Sequence, residues 1–384
     1  MNPCRRSIRV DRLNDLKDGV TRHGPQTVHL DVTNSCNTNC VTCWDHSPHL
    51  NEARAASWKR QRVDIDATRA LLDDIQSLDD DDARLQNIII SGMGEPFTHP
   101  DIYALILDIK KRGLHLTIIT NLVAADVDRV VALGVDALLV GVQGASEDSY
   151  LAFHPNFSPA HWKQLNQQLE RLADEPSIDV KQVQVICAAN AHELVAMVDL
   201  AARTHATQLN FKLASLKEGT ERVRLSEEQR RQLVVSELPA AQQRAAALLV
   251  STNLDVFAAQ VGAGGDDTAP IEDIGCFIGA FYSRITVDGT VLFCCNTEVV
   301  VGSLATLPFS AWWRSARWEH WRRRMRTGRY LDSCRQCGKV NQNATLSARF
   351  RERYGEQAWL EVTGRGPTST LTPATRSRAL RVLP

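Results

Sequence analysis

The chain has 384 residues and a formal net charge of −1, with 44 Lys and Arg residues against 45 Asp and Glu residues. Hydrophobic residues make up 43% of it and charged residues 23%, which excludes a disordered, collagen-like or small disulfide-stabilised chain. No run of about 18 apolar residues occurs and the N-terminal region lacks a secretory pattern, so we expect neither a transmembrane helix nor export. These features predict a cytoplasmic protein of two or three structural units.

Residues 1–26 form a polar lead-in, and residues 27–32 alternate apolar and polar positions as a strand does. From there to residue 213 predicted strands alternate with predicted helices, which is typical of a parallel sheet covered by helices. Six strands suit an open, partial barrel better than a complete eight-stranded one. The predicted strands are 27–32, 86–91, 114–120, 137–142, 180–188 and 208–213, and the predicted helices are 65–78, 100–112, 125–133, 160–173 and 193–204.

Shorter features divide the rest of the chain. The run Asp79–Asp82 predicts a solvated turn. Ser283–Phe293 predicts a hairpin that turns at Asp288-Gly289, and one helix with its tryptophans packed and its arginines exposed should follow it. We divide the chain into a lead-in (1–26), a partial barrel (27–225), a mostly helical connector ending in a Gly/Asp loop (226–270), a second cysteine-bearing domain (271–345) and a helix with a loose tail (346–384).

Ten cysteines are unusual for a chain in a reducing compartment, where disulfides are rare. Clustered cysteines there more often bind metal or take part in chemistry. One group lies near the start of the chain and another near its end, whereas Cys4 and Cys187 stand apart. The sequence therefore predicts two cysteine sites separated by a scaffold.

The first group has the spacing Cys36-x3-Cys40-x2-Cys43. Three thiolates on a tight loop can bind three irons of a [4Fe–4S] cluster. A fourth cysteine is missing from the loop, so one iron would stay open. A zinc site completed by His46 or His49 is the alternative.

This spacing, with Trp44 after the third cysteine, resembles the signature of the radical S-adenosylmethionine (SAM) superfamily. The resemblance implies that the open iron binds the amino and carboxylate groups of SAM. It further implies that an electron from the cluster splits SAM to a 5′-deoxyadenosyl radical, which takes a hydrogen atom from the substrate. A one-electron reductant of the flavodoxin or ferredoxin type would then be a partner.

A second motif, Gly92-Met93-Gly94-Glu95-Pro96, follows the second predicted strand and resembles the Gly-Gly-Glu-Pro motif of that superfamily. The family motif binds the methionyl amino group of SAM. Glycine at 92 and 94 allows the backbone to approach a ligand closely, and Glu95 can accept a hydrogen bond from an ammonium group. Met93 departs from the family pattern.

Polar residues at three further strand ends are candidates for cofactor contacts. Asn121, Gln143 and Asn190 follow the third, fourth and fifth predicted strands. The carboxyl ends of parallel strands usually hold the ligand site. Ordinary strand-end polar residues, with no ligand, are the alternative for each.

The second group has the pattern Cys276-x12-Gly289-x4-Cys294, followed by Cys334-x2-Cys337. Four cysteines can close an auxiliary [4Fe–4S] cluster, and the pattern resembles the C-terminal extension of SPASM/twitch radical SAM enzymes. No cysteine follows Cys337, which favours the twitch-like form with one auxiliary cluster. A four-cysteine zinc ribbon is the alternative. Cys295 is interpreted as a neighbour of the cluster rather than a ligand.

The resemblance implies a partial (β/α)6 barrel with a twitch/SPASM-like domain and an oxidoreductase activity of the dehydrogenase type. The overall spacing resembles that of a twitch-type aminocyclitol dehydrogenase. We therefore expect a small polar substrate, an amino sugar or aminocyclitol alcohol, whose electron passes to the auxiliary cluster. We expect no membrane or nucleic-acid partner.

Other functions remain open. One is a peptide maturase that forms a crosslink or an epimer, although the short lead-in shows no peptide-recognition domain. Another is an epimerase in which Cys187 or Cys295 donates a hydrogen atom. A non-catalytic iron–sulfur or zinc protein would fit only without SAM cleavage.

Overall fold

The first half of the fold is a sheet of parallel strands with helices between them. It is seen in a computed structural model that describes residues 10–79, 85–262 and 271–365. The strands follow one another across the sheet in chain order, so each connection crosses over through helix. They are β1 Thr27–Asp31, β2 Asn87–Ser91, β3 His115–Thr120, β4 Ala137–Gly141, β5 Asp179–Ile186 and β6 Gln208–Leu213.

The five predicted helices of this half are present, and the structure adds three more. These are a helix in the lead-in, a short helix in the loop after β1, and a helix that precedes the predicted 160–173 helix. The helices are α1 Val10–Asp18, α2 Ala56–Lys59, α3 Ile65–Gln76, α4 Ile102–Lys111, α5 Val127–Ala132, α6 Glu147–Phe153, α7 Pro159–Ala173 and α8 Leu194–Arg203.

The second half begins with helices and continues into a small antiparallel sheet. Its elements are α9 Glu227–Gln232, a π-helical turn Leu233–Glu237, α10 Leu238–Leu248, α11 Leu254–Gly262, α12 Ile271–Ile274, β7 Tyr282–Ile285, β8 Thr290–Leu292, β9 Val300–Ser303, α13 Phe309–Trp313, α14 Ala316–Arg326 and α15 Val340–Val362. The 3-10 turns of the chain are Pro96–Thr98, Thr220–Val223, Ile278–Ala280 and Asp332–Gln336.

The two halves share one sheet. Strand β7 pairs in parallel with β1, on the edge of the barrel sheet opposite β6, and β8 and β9 then pair antiparallel. The predicted hairpin is therefore present, but it extends the barrel sheet and is joined by a third strand. As a result the second cysteine group stands beside β1, the strand that leads into the first group.

The strands in the middle of the sheet consist largely of buried apolar residues. The strand β2 carries Ile88, Ile89 and Ile90, of which Ile88 and Ile90 are fully buried. Strands covered on both faces by helices are typically continuous apolar runs of this kind. Helices α3 and α4 contribute their buried faces to the same core, which extends under the second half as far as Trp318.

The described part of the lead-in begins at Val10 and packs on the other end of the chain. Leu13 and Leu16 of α1 lie in one cluster with Phe350 and Trp359 of α15. The Asp79 side chain is not solvated as expected, because it accepts hydrogen bonds from the Gly24 amide and lies 3.5 Å from Arg12 with 4% of its side chain exposed. The predictions for Cys4, for most of the loop 262–270, for residues 80–82 and for the tail beyond 365 lie outside the described residues.

The tryptophan-rich segment forms two helices, α13 and α14, rather than the single predicted helix. Trp313 and Trp318 are buried as expected. Arg322 is an exception among the arginines: it is 8% exposed, and its guanidinium lies 4.5 Å from the Trp313 ring centroid. The packing of this segment accounts for its aromatic residues without a nucleic-acid partner.

Among residues 10–79, 85–262 and 271–365, no helix combines the length and the apolar character that a membrane crossing needs.

Candidate functional site

The first cysteine loop follows β1 and is held by the end of α6. The Val41 amide donates to the Phe153 carbonyl at 3.0 Å, and the Asn156 side chain bridges the backbone of Asn37 and Asn39. The structure thus fixes the loop that carries Cys36, Cys40 and Cys43 with bonds from over 100 residues away. Asn156 could not be identified from the sequence, since a lone asparagine after a helix is common.

The thiols of this loop are close enough to disfavour one another's charged forms. Burial raises the pKa of Cys40 well above its ordinary value, and the charges of Cys43 and Cys36 raise it further. Burial likewise raises the pKa of Cys36 to about 12. A cationic metal centre supplies the counter-charge that three such thiolates need. The amides of Asp45 and His46 donate to the Cys43 sulfur at 3.5 and 3.3 Å, which also favours a thiolate there.

A single metal ion and a [4Fe–4S] cluster need different arrangements of their ligands. Within the described residues, no group of three or more His, Cys, Asp or Glu side chains converges on one point as the ligands of a single ion do. In a [4Fe–4S] cluster each cysteine binds its own iron, so the sulfurs stay apart. Three cysteine thiols on one loop are the donor set of a cubane cluster with three cysteine ligands.

The glycines of the second motif pack against the first cysteine loop. A Cβ at Gly92 would lie 2.4 Å from the Thr33 carbonyl oxygen, and one at Gly94 would lie 1.9 Å from the Ser35 carbonyl oxygen. The Gly94 amide donates to Thr33 and the Glu95 amide to Ser35. These glycines let the motif pack directly against the cysteine loop, and the expected close approach to a ligand stays a prediction.

Glu95 is held by three hydrogen bonds from the chain itself. Its carboxylate accepts hydrogen bonds from Thr120 Oγ1 at 2.6 Å, the Asn121 amide at 2.7 Å and the Phe97 amide at 3.2 Å. Burial raises its pKa to about 7, although these three donors favour the carboxylate. Glu95 therefore ties the motif to the end of β3. Pro96 follows as the first residue of a 3-10 turn and is buried.

Substituting Gly94 with Ala should weaken both the fold and SAM binding. The new Cβ would overlap the Ser35 carbonyl, and overpacking of this kind costs about 1–3 kcal/mol. Urea unfolding and equilibrium dialysis with SAM measure the two effects. Gly262→Ala is the matched control, because a Cβ there meets no atom within 4 Å. Equal stability and equal SAM binding in the two variants would contradict this packing argument.

The strand-end candidates have different surroundings. The Asn121 side chain donates to Asn37 Oδ1 at 2.8 Å, which joins β3 to the cysteine loop. Gln143 accepts from the Val185 amide and has a positive φ of 65°. Asn190 is fully buried, and its amide group bonds to the backbone of Gln143, Val185 and Cys187. Asn190 therefore joins the ends of β4 and β5, and its cofactor contact stays a prediction.

The structure brings the cysteines of the second group together beside β7 and β8. Burial raises the pKa of Cys276 well above its ordinary value, and the charges of Cys337 and Cys334 add to the shift. The Asn296 amide donates to Cys294 Sγ and the Lys339 amide to Cys337 Sγ, both at 3.4 Å. In each case the amide belongs to the residue two positions after the cysteine, as it does for Asp45 and Cys43 in the first loop. The donor set fits a fully ligated cubane cluster.

Cys295 lies inside the same group. Its hydrogen bond with Cys294 raises the pKa of Cys294 and lowers that of Cys295, and the charges of Lys339 and Arg284 lower the Cys295 pKa further. Gly338 approaches the Cys295 sulfur so closely that a Cβ there would lie 3.4 Å away.

A cavity of about 500 Å³ connects the two cysteine groups. Cys43 and Trp44 line it from the barrel, and the cysteines of the second group line it from the opposite side. The Trp44 indole donates to the Ser215 carbonyl at 2.7 Å, and Lys217 Nζ lies 4.2 Å from its ring centroid. Trp44 is thus held at the cavity wall, 36% exposed.

The cavity also shows residues that the sequence did not single out. Met93, the residue that departs from the family motif, lines this cavity. Arg284 of β7 lines it too and is bonded to Asp31 of β1 at 2.8 Å. Side chains alternate between the two faces of the sheet along β7. This alternation is the signal that could have identified Arg284 as a residue that faces the cavity.

Cys187 is not among the cavity-lining residues. It is 1% exposed and packs with Val41 and Phe153, and burial raises its pKa to about 11. A buried cysteine in such a cluster behaves as a small apolar residue.

Comparison with known proteins identifies both parts of the chain. Residues 30–205 match the model of the radical SAM superfamily, and residues 276–338 match that of an iron–sulfur cluster-binding domain, SPASM. The chain is a radical SAM protein with a C-terminal SPASM domain. These domains imply SAM, a [4Fe–4S] cluster and an auxiliary [4Fe–4S] cluster as its cofactors.

The similarity to individual curated proteins covers only part of the chain. An AdoMet-dependent heme synthase of Methanosarcina barkeri is 27% identical over 138 residues, which is 35% of this chain and 35% of the relative. A tungsten-containing aldehyde ferredoxin oxidoreductase cofactor-modifying protein of Pyrococcus furiosus is 29% identical over 96 residues, 24% of this chain and 23% of the relative. The matched region thus spans about a third of the first relative and a quarter of the second.

The solved structure of Streptococcus suis SuiB bound to S-adenosylmethionine has a TM-score of 0.58 to this chain, at 14% identity. The likeness covers 86% of this chain and 74% of SuiB. At this identity the likeness concerns the fold alone. It supports an open parallel sheet, the partial radical SAM barrel, followed by a SPASM domain.

Proposed function

We propose that this radical SAM protein is a dehydrogenase-type oxidoreductase whose substrate binds in the cavity between the two cysteine groups. The observation that carries the proposal is the cavity itself, since its walls come from the first loop at Cys43 and from the whole second group. A substrate bound there would lie between the source of the radical and an electron acceptor. About 500 Å³ is the size of a small-molecule site.

The site residues are assigned on the same basis. Cys36, Cys40 and Cys43 would hold the SAM-binding cluster, and Cys276, Cys294, Cys334 and Cys337 the auxiliary cluster. When bound, these groups supply a 5′-deoxyadenosyl radical that removes hydrogen, and a site that accepts the second electron. Residues 27–225 and 271–345 would be the corresponding domains, and the matched ranges 30–205 and 276–338 lie within them.

The chain's own residues would position SAM and exclude water. Glu95, held by Thr120 and by the Asn121 amide, fixes the motif loop beside the cysteine loop. Trp44 covers the cavity on the barrel side, where it is bonded to Ser215. A one-electron reductant of the flavodoxin or ferredoxin type would be the partner in this scheme.

The charge of the cavity bears on the substrate. The sequence favoured an amino sugar or aminocyclitol alcohol, whose amine is protonated at neutral pH. Lys217, Arg284 and Lys339 line the cavity on different sides. An amino group would therefore have to point away from them, while hydroxyl groups would be compatible with them. We retain a small polar alcohol as the substrate class.

Anaerobic assays of the full-length chain test this proposal. The reconstituted protein should form 5′-deoxyadenosine from SAM and dithionite, and in fractionated metabolites one compound should be replaced by a product two hydrogens lighter in mass spectrometry. A product of unchanged mass but inverted configuration would indicate an epimerase instead. Bound zinc without SAM cleavage would contradict the proposal.

A further inference from the structure

Two arginines of α14 each have a buried nitrogen atom without a hydrogen-bond partner among the described residues. These atoms are Nη2 of Arg322 and Nε of Arg326. Arg322 is 8% exposed, and Arg326 follows it by one helical turn and is partly buried. A buried guanidinium nitrogen without a partner is costly, because its N–H group has lost its hydrogen bonds to water. Both nitrogens therefore indicate a ligand in the space beside them.

That space is a second cavity, of about 20 Å³, which both arginines line. Its other walls are the end of α1 with the residues that follow it, and the turn that follows Cys276. A cavity needs about 10–15 Å³ to hold one water molecule, so this one has room for a single particle of about that size. Carboxylates and phosphates are too large for it.

Contacts of its other nitrogens fix the orientation of Arg322. Its Nε donates to the Gly279 carbonyl at 3.1 Å, and its Nη1 lies 3.6 Å from a carboxylate oxygen of Glu319. The guanidinium group also lies 4.5 Å from the ring centroid of Trp313. Gly279 and Glu319 both line the cavity, so Nη2 is the nitrogen that remains to bind what the cavity holds.

Arg326 borders the cavity on the side of α1. Its two terminal nitrogens lie near Gly19, since a Cβ there would be 3.6 Å from each of them. In the described part of the chain no carboxylate pairs with Arg326, and it donates no hydrogen bond. Gly19 lines the cavity as well. The cavity therefore lies between the lead-in and the SPASM domain.

The charges that line this cavity do not balance. Two guanidinium groups face one carboxylate, that of Glu319, whose side chain is 32% exposed. Asp15 also acts on Arg322, but its two oxygens already bind Arg22 and His23. Burial lowers the pKa of both arginines of the cavity, to about 10 for Arg322. A water molecule would leave one positive charge without a partner, whereas a monovalent anion balances it.

We propose that Arg322 and Arg326 bind a small monovalent anion, a chloride ion, in this second cavity. The ion would join the lead-in helix α1 to α14 of the SPASM domain. Cys276 lines the same cavity, so the ion would lie beside a residue assigned to the auxiliary cluster. Because a loaded cluster adds negative charge there, chloride binding is tested in the loaded protein. It requires neither the proposed substrate nor SAM cleavage.

Line broadening in the chlorine nuclear magnetic resonance spectrum of the reconstituted protein measures this binding. In sodium gluconate at constant ionic strength, added chloride should give a broadening that saturates, and bromide should displace the chloride. Arg326→Gln should weaken chloride binding about ten-fold or more, because it removes a charged hydrogen-bond donor. Arg317→Gln is the matched control, since Arg317 is exposed on the same helix and does not line the cavity.

Iron content is measured on each variant to verify that both clusters persist. No saturable chloride binding to the loaded wild type would overturn the inference, since the cluster would then balance the two arginines. Equal chloride binding in the wild type and in Arg326→Gln would overturn it as well, because the cavity would then hold water. A loss of the same size in Arg317→Gln would mean that the charge of the helix surface attracts the ion, which also contradicts a site in the cavity.

The size of the cavity gives a second test, which decides the question even if Arg326→Gln loses iron or fails to fold. In the wild type, bromide should compete with chloride, whereas acetate at the same concentration should leave chloride binding unchanged because it is too large for the cavity. Displacement by acetate as effective as that by bromide would overturn the inference.

Discussion

Replacing Cys36, Cys40 and Cys43 together with alanine should lower the iron content from about eight to about four per chain and abolish 5′-deoxyadenosine formation. The loop offers no other cysteine, and the pKa values of the three thiols show that they lie close enough to share one cationic centre. Iron and sulfide analysis with an anaerobic SAM-cleavage assay measures both effects.

The complementary variant Cys334→Ala/Cys337→Ala provides the comparison. It should also retain about four irons, but these should belong to the first loop, and adding SAM should still change the electron paramagnetic resonance spectrum of the reduced protein. In the triple variant SAM should leave that spectrum unchanged. If both variants responded to SAM alike, or if either kept all the iron, the division of the cysteines between two clusters would be wrong.

The order of the barrel elements was accessible from the sequence because it depends on local patterns. Strand β6 was predicted with its observed bounds, and the predicted β2 differs from the observed one by one residue. Such strands are predicted from runs of adjacent apolar residues, such as Ile88–Ile90. The spacing of Cys36, Cys40 and Cys43 is likewise a local feature. The family model that matches residues 30–205 confirms the superfamily that this spacing indicated.

Features that depend on distant contacts were not accessible. The parallel pairing of β1 with β7 joins residues more than 250 positions apart, and no alternation within either strand reveals its partner. The glycines of the second motif were predicted to approach a ligand, and their packing against carbonyls of the cysteine loop was not foreseen. Asp79 was expected in solvent because its neighbours in sequence are acidic, yet its partners come from residues 12 and 24.

The contact between β1 and β7 centres on a buried ion pair. Arg284 Nη2 lies 2.8 Å from Asp31 Oδ2, with 13% of the Arg284 side chain exposed and none of the Asp31 side chain. Asp31 also accepts from Ser91, which bonds to His29, and Arg284 donates to the Cys295 carbonyl at 3.3 Å. The pair therefore links the strand before the first cysteine loop to the strand before the second group.

Asp31→Asn should lower the free energy of unfolding by about 3–5 kcal/mol, because it leaves the Arg284 charge buried without its partner. Urea unfolding under anaerobic conditions measures this loss, and Asp199→Asn, which breaks the exposed pair of Asp199 with Arg244, should change the free energy far less. The double variant Asp31→Asn/Arg284→Gln should recover part of the loss, since the unpaired charge is removed. A loss in Asp31→Asn no greater than in Asp199→Asn would mean that the two strands are held by backbone pairing and apolar contacts alone. The expected loss instead makes the ion pair the element that fixes the SPASM hairpin, and with it the second cysteine group, against the barrel.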